Sequence, residues 1–161
     1  MVLLGALVAS ACGTSNASPN PQPKPNDPCS AQSLKLGSAR RLVAWKPPEG
    51  CTANDGSSGR TILRTRAALD AQFVCGKGAK LGVDLAKHAV VQVSWNMSPA
   101  AVGLDAFDDA KQVTLVTRFR SPCPKDPRPM PITLQRWFLL PVGSSERTFA
   151  EANCTVDTKC P

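Results

Sequence analysis

The sequence predicts an α+β fold: a mainly antiparallel sheet with one helix, bridged by disulfides. Three observations predict it. Apolar and polar residues alternate at period two in several runs rich in Val, Thr and aromatics, the pattern of strands on a pleated surface. One stretch, 65–74, shows helical spacing instead. Seven cysteines occur with a single histidine and no Cys-x-x-Cys pair, which points to bridges rather than to a zinc or thioredoxin-like centre.

Residues 41–45 read as a first short strand, ended by Lys46-Pro47-Pro48. Residues 52–59 are turn chemistry, with Asn54-Asp55-Gly56 supplying unusual backbone angles, and 60–64 return to strand. Thr65 caps a helix over 65–74 that places Leu69 and Phe73 on one face, and Gly76 and Gly78 stop it. In 88–96, Ala89, Val91, Val93 and Trp95 share one face, while Val90, Gln92 and Ser94 take the other. In 111–120, Val113, Leu115, Thr117 and Phe119 alternate with Thr114, Val116, Arg118 and Arg120. Asp108-Asp109-Ala110-Lys111 reads as the hairpin turn into that strand. Residues 132–140 are apolar on both faces, and a last short strand reads over 146–150.

Ahead of these elements lies an address. Residues 1–11 are uncharged and apolar, too short to span a bilayer, which takes about 20 apolar residues. Ala9-Ser10-Ala11-Cys12 has the small residues at which a lipoprotein signal is cut, although no Lys or Arg precedes the apolar run. The expectation is a signal peptide over 1–11, a lipidated (palmitate-bearing) Cys12 with a Pro-rich tether over 12–28, and one extracytoplasmic domain over 29–161. The other reading is an ordinary secretory cleavage near Ala11 that leaves Cys12 as a spare thiol. Five prolines in the tether favour an extended spacer reaching roughly 50 Å at ~3.1 Å per residue. Gly13 follows Cys12, and with no Asp there an outer-membrane or cell-surface location fits. Setting Cys12 aside leaves Cys29, Cys51, Cys75, Cys123, Cys154 and Cys160, an even set suited to disulfides in an oxidising compartment, with the pairing open.

A net charge of +7, from 19 basic and 12 acidic side chains, favours anionic partners or simply a solvated basic surface. Nucleic acid is not expected, because Trp95, Phe119 and Phe138 fit core faces rather than interleaving with basic residues. Two surfaces are candidates for a protein partner. Loop 121–131, with five prolines, presents Lys125, Arg128 and Met130 on a stiff backbone, or serves only as a bridged connection through Cys123. Arg118 and Arg120 share a strand face where Arg60, Arg64, Arg66 and Arg136 join a docking patch, or they protect a sheet edge by charge. For catalysis the candidates are thin: His88 at a strand start, and Asp105, Asp108 and Asp109 in a presumed turn. No nucleophile-elbow, metalloprotease or phosphate-loop pattern occurs, and neither cofactor nor metal is expected.

The order of elements from Arg64 to about Leu140 resembles the C-terminal module of protease-complex lipoproteins, the PrcB-like family, and related bacterial lipoproteins of unknown function. The resemblance rests on Ala68-Leu69-Asp70-Ala71-Gln72-Phe73, then Val83-Asp84-Leu85-Ala86-Lys87, then Ala89-Val90-Val91-Gln92-Val93-Ser94-Trp95. Where that family carries a Thr-Gly-Gly-Tyr-like turn, this chain has Ser98-Pro99-Ala100-Ala101-Val102-Gly103 and no tyrosine, so no site residue carries over. The resemblance implies a non-catalytic accessory role beside an extracytoplasmic protein such as a protease. The sequence therefore leads to a lipid-anchored envelope protein that binds a protein partner and is not an enzyme. An envelope hydrolase and a purely structural envelope protein are the alternatives.

Overall fold

A computed structural model describes residues 26–54, 59–97, 100–121, 132–143 and 146–157. Its elements in chain order are β1 (Arg40–Arg41), β2 (Val43–Trp45), β3 (Cys51–Ala53), β4 (Gly59–Leu63), α1 (Arg66–Gln72), β5 (Phe73–Cys75), β6 (His88–Met97), β7 (Ala101–Asp108), β8 (Gln112–Arg120), β9 (Ile132–Pro141) and β10 (Thr148–Val156). They form one four-stranded sheet ordered β1-β7-β8-β10, a second ordered β2-β9-β6-β4, and a small β3-β5 pair. Every pairing is antiparallel except β8 with β10. The mainly antiparallel α+β class with one helix among the described residues is therefore observed.

Alternation along the strands sets the layers. Ala89, Val91 and Val93 of β6 meet Ala106, Val113 and Leu115 of the facing sheet, with Phe138 and Leu140, in a core between the two sheets. Val90, on the opposite face of β6, packs with Trp45, Leu63, Leu69, Phe73, Leu81 and Val83 beneath α1 and the β3-β5 pair. The Trp45 and Phe73 rings meet edge to face, 5.4 Å between centroids. The outer face of the first sheet carries Phe107, Val116 and Cys154, covered by Cys29, Ala31, Leu34, Leu36 and Ala39 of the 26–39 strap. Each sheet is thus covered on both faces, which explains why β6 and β8 bury residues of both parities.

Several elements differ from the sequence reading, each for a non-local reason. The strand read over 41–45 is divided: β1 pairs with β7 in one sheet, and β2 pairs with β9 in the other. Leu42 makes the crossing, its N–H donating to the Ala106 carbonyl at 2.8 Å while its side chain enters the inter-sheet core. The helix ends at Gln72, because Phe73–Cys75 pairs with Cys51–Ala53, a segment read partly as turn. Residues 101–108, read as turn and acidic cluster, form β7. The last strand extends to Val156 because it runs beside β8 for nine register pairs. The hairpin turn stands as read: Asp109 Oδ1 accepts from the Lys111 and Gln112 N–H groups at 2.9 and 2.7 Å.

Two bridges brace the fold, Cys29–Cys154 and Cys51–Cys75. The first joins the strap to β10, and the second joins β3 to β5. Cys12, Cys123 and Cys160 lie outside the described residues.

Candidate functional site

The densest polar cluster sits where the strap meets the first sheet. In β7, Asp105 lies on the same outward face as Phe107, and in β8 Arg118 lies on the face of Val116. The Gly103 position opposite Arg118 leaves that long side chain room to lie along the sheet. Arg118 Nε donates to Asp105 Oδ2, while its Nη2 and Nη1 reach Asp27 Oδ2 and Oδ1 at 2.7 and 3.2 Å. Arg41 of β1 pairs with the other Asp105 oxygen. Asp27 Oδ1 also accepts the Cys29 N–H at 2.9 Å, one turn of chain from the Cys29–Cys154 bridge. Two carboxylates and two guanidiniums thus neutralise one another over a covalent bond.

Their electrostatics agree. Burial pushes the Asp27 carboxyl up, but the bonds from Arg118 and the Cys29 N–H, with the charges of Arg118 and Arg41, outweigh it and hold the group below the ordinary aspartate range. Burial likewise works against the Arg118 charge, and the bonds to Asp27 and Asp105 more than restore it. With about a tenth of each carboxylate side chain and a fifth of Arg118 exposed, these are part-buried pairs rather than solvated ones. In such an assembly each charged group is held by an opposite one. It suits fastening, not proton transfer.

This placement engages the Arg118 guanidinium with Asp27 and Asp105, with a fifth of its side chain still exposed. Asp105 is no turn residue: it is 8% exposed within β7. Arg120, half-buried, ends β8 with its N–H donating to the Ala100 carbonyl at 2.8 Å. The remaining arginines do not join these two. Arg60, at the edge of the second sheet, pairs with Glu151 of β10, and Arg136 lies exposed on β9. Arg64 and Arg66 are exposed at the start of α1. Lys125, Arg128 and Met130 lie outside the described residues. His88 opens β6, its N–H donating to the Asp84 carbonyl at 2.9 Å. Asp108 accepts from Arg147 Nε at 2.8 Å.

An open depression of about 430 Å³ lies between α1 and the chain after β5, floored by Phe73 and Leu81 and rimmed by Arg66, Asp70 and Lys80. Its only signal in the sequence is the Arg66–Asp70 spacing on one helix face. Asp27 was missed as a partner of Arg118, and Arg41 as a partner of Asp105; the local clue was Asp27 two residues before Cys29, a spacing at which aspartate caps its own chain. Among the described residues no group of three His, Cys, Asp or Glu side chains converges to hold a metal ion. No described helix is long and apolar enough to cross a membrane.

Fold, bridges and ion cluster define a disulfide-braced α+β sandwich domain with a fastened N-terminal strap. No family model, no curated protein and no solved structure matches the chain.

Proposed function

We propose that the chain is an exported lipoprotein, acylated on Cys12 and held off the membrane by the Pro-rich tether. Its domain works by non-catalytic binding of an extracytoplasmic protein. The observation that carries this reading is the fastening of the strap at the tether's base: the Cys29–Cys154 bridge beside the Asp27–Arg118 pair. Disulfides persist in oxidising compartments, which supports export. A fastening at the point where a tether enters a domain also passes any pull into β8 and β10 instead of peeling the strap away.

Binding is favoured over hydrolysis because two carboxylates considered for catalysis, Asp105 and Asp108, are each engaged by arginine. A place beside a protease follows from the family resemblance alone. The partner surface to test first is loop 121–131, through Lys125, Arg128 and Met130.

Two experiments test the reading. Labelling cells with a palmitate analogue should mark the wild-type protein and leave Cys12→Ser unlabelled and released from the membrane fraction. Label retained by Cys12→Ser, or absent from both, removes the lipid anchor. Cross-linking in the native envelope should then yield a protein neighbour that is lost when Lys125, Arg128 and Met130 are all replaced by Ala; capture unchanged by the triple replacement retires the loop.

A further inference from the structure

Four of the seven cysteines are paired among the described residues, and the register of β8 and β10 bears on two of the others. These strands lie side by side in parallel, from Thr148 opposite Gln112 to Val156 opposite Arg120. Parallel strands leave a sheet at the same end, so the segments that follow Arg120 and Val156 start as neighbours. They are still neighbours one residue further on, where the Ser121 hydroxyl donates to Asp157 Oδ1 at 3.4 Å. Cys123 comes two residues after Ser121, and Cys160 three residues after Asp157.

From these observations we infer that Cys123 and Cys160 form a third disulfide. Two residues of chain reach at most about 7 Å and three about 11 Å, from strands that run about 4.8 Å apart. A bridge needs Cα atoms within about 7 Å, a separation that these lengths of chain can span. Cys12 competes poorly for either of them. It precedes Asp27 by a long Pro-rich stretch that prefers extension, and the entropy of closing a loop grows with its length. The chemistry is thiol–disulfide exchange with an oxidising disulfide, protein or small-molecule. Each cysteine thiol loses a proton, one S–S bond forms between Cys123 and Cys160, and the two electrons reduce the donor disulfide to two thiols.

The pairing rests on strand register and not on the envelope reading, but it sharpens that reading in two ways. It ties the start of loop 121–131 to the chain's last residues, and it leaves Cys12 as the single unpaired sulfur. Peptide mapping of the full-length protein from an oxidising compartment decides it. Thiols are blocked with N-ethylmaleimide at acid pH, and the protein is cut with trypsin without reduction. Cleavage after Lys159 separates Cys160 from Cys154, so the expected product is peptide 121–125 joined to peptide 160–161. Alkylated Cys123 and Cys160, or either joined to a different cysteine, overturns the inference. Reduction before blocking should convert the joined species into two alkylated peptides. The state of Cys12 in the same digest reports separately on acylation, so failure of either claim is distinguishable from failure of the other.

Discussion

Asp27 has the most telling surroundings of any residue in the domain. It sits at the end of the Pro-rich segment, two residues before Cys29, and it accepts from both the Cys29 N–H and Arg118. A carboxyl held below its ordinary pKa in the folded state stabilises the fold at pH values above the unfolded value, about 3.9. That contribution is lost as pH falls through this value and on through the folded one. Asp84 and Asp109 shift in the same direction, so Asp27→Asn should make the acid limb of stability shallower without abolishing it. Urea denaturation of both proteins between pH 7 and pH 2 checks this; superimposable acid limbs would contradict it. Arg118→Ala should cost about 3 kcal/mol by leaving Asp27 and Asp105 part-buried without their shared cation. A loss near zero in the same measurement would show that the cluster does not fasten the strap. The sequence displayed Arg118 and Asp105 as charges but not as partners, because residues far apart in the chain meet only through the β7-β8 pairing and the strap.

Elements divide by whether their determinants are local. The start of α1 was legible because capping is local chemistry: the Thr65 hydroxyl accepts the Ala68 N–H at 3.1 Å. Thr65→Ala should therefore cost about 1 kcal/mol, read as a lowered denaturation midpoint with unchanged slope. The helix end was not legible. Phe73 keeps helical spacing from Leu69, yet pairing with β3 and the Cys51–Cys75 bridge pull 73–75 into strand. The long alternating strands β6, β8 and β9 were visible because burial writes their period into sequence. β7 was hidden, since Gly103 and Asp105 mimic a turn when the ion cluster and the neighbouring Arg118 are unseen. The crossing at Leu42 was equally hidden, as nothing in 41–45 marks a change of sheet. Leu42→Ala should cost about 2–5 kcal/mol, because that side chain is 5% exposed in the core between the sheets. A loss below about 1 kcal/mol in chemical denaturation would argue against the crossing.

At the scale of the whole molecule, the sandwich is closed along one side by the chain itself, where β1 passes into β2, and along the other by the Arg60–Glu151 pair between edge strands. The bridges act on different lengths of chain. Cys29 and Cys154 are 125 residues apart, and Cys51 and Cys75 are 24 apart. Chain-entropy reasoning gives about 5 kcal/mol for the long bridge and about 3.5 kcal/mol for the short one. Paired Cys→Ser replacements should reproduce that order in urea denaturation; the reverse order would place the strap outside the cooperative unit. The fold class was legible because alternation and cysteine count are properties of the whole chain. The fastened base of the tether was not, although it is the feature that best links fold to proposed role. The most direct test of that role is the mass of the amino-terminal peptide of the protein purified from its native membrane. The account predicts a chain that begins at Cys12 and carries a diacylglyceryl thioether; a chain that begins at Met1, or an unmodified Cys12, would contradict it.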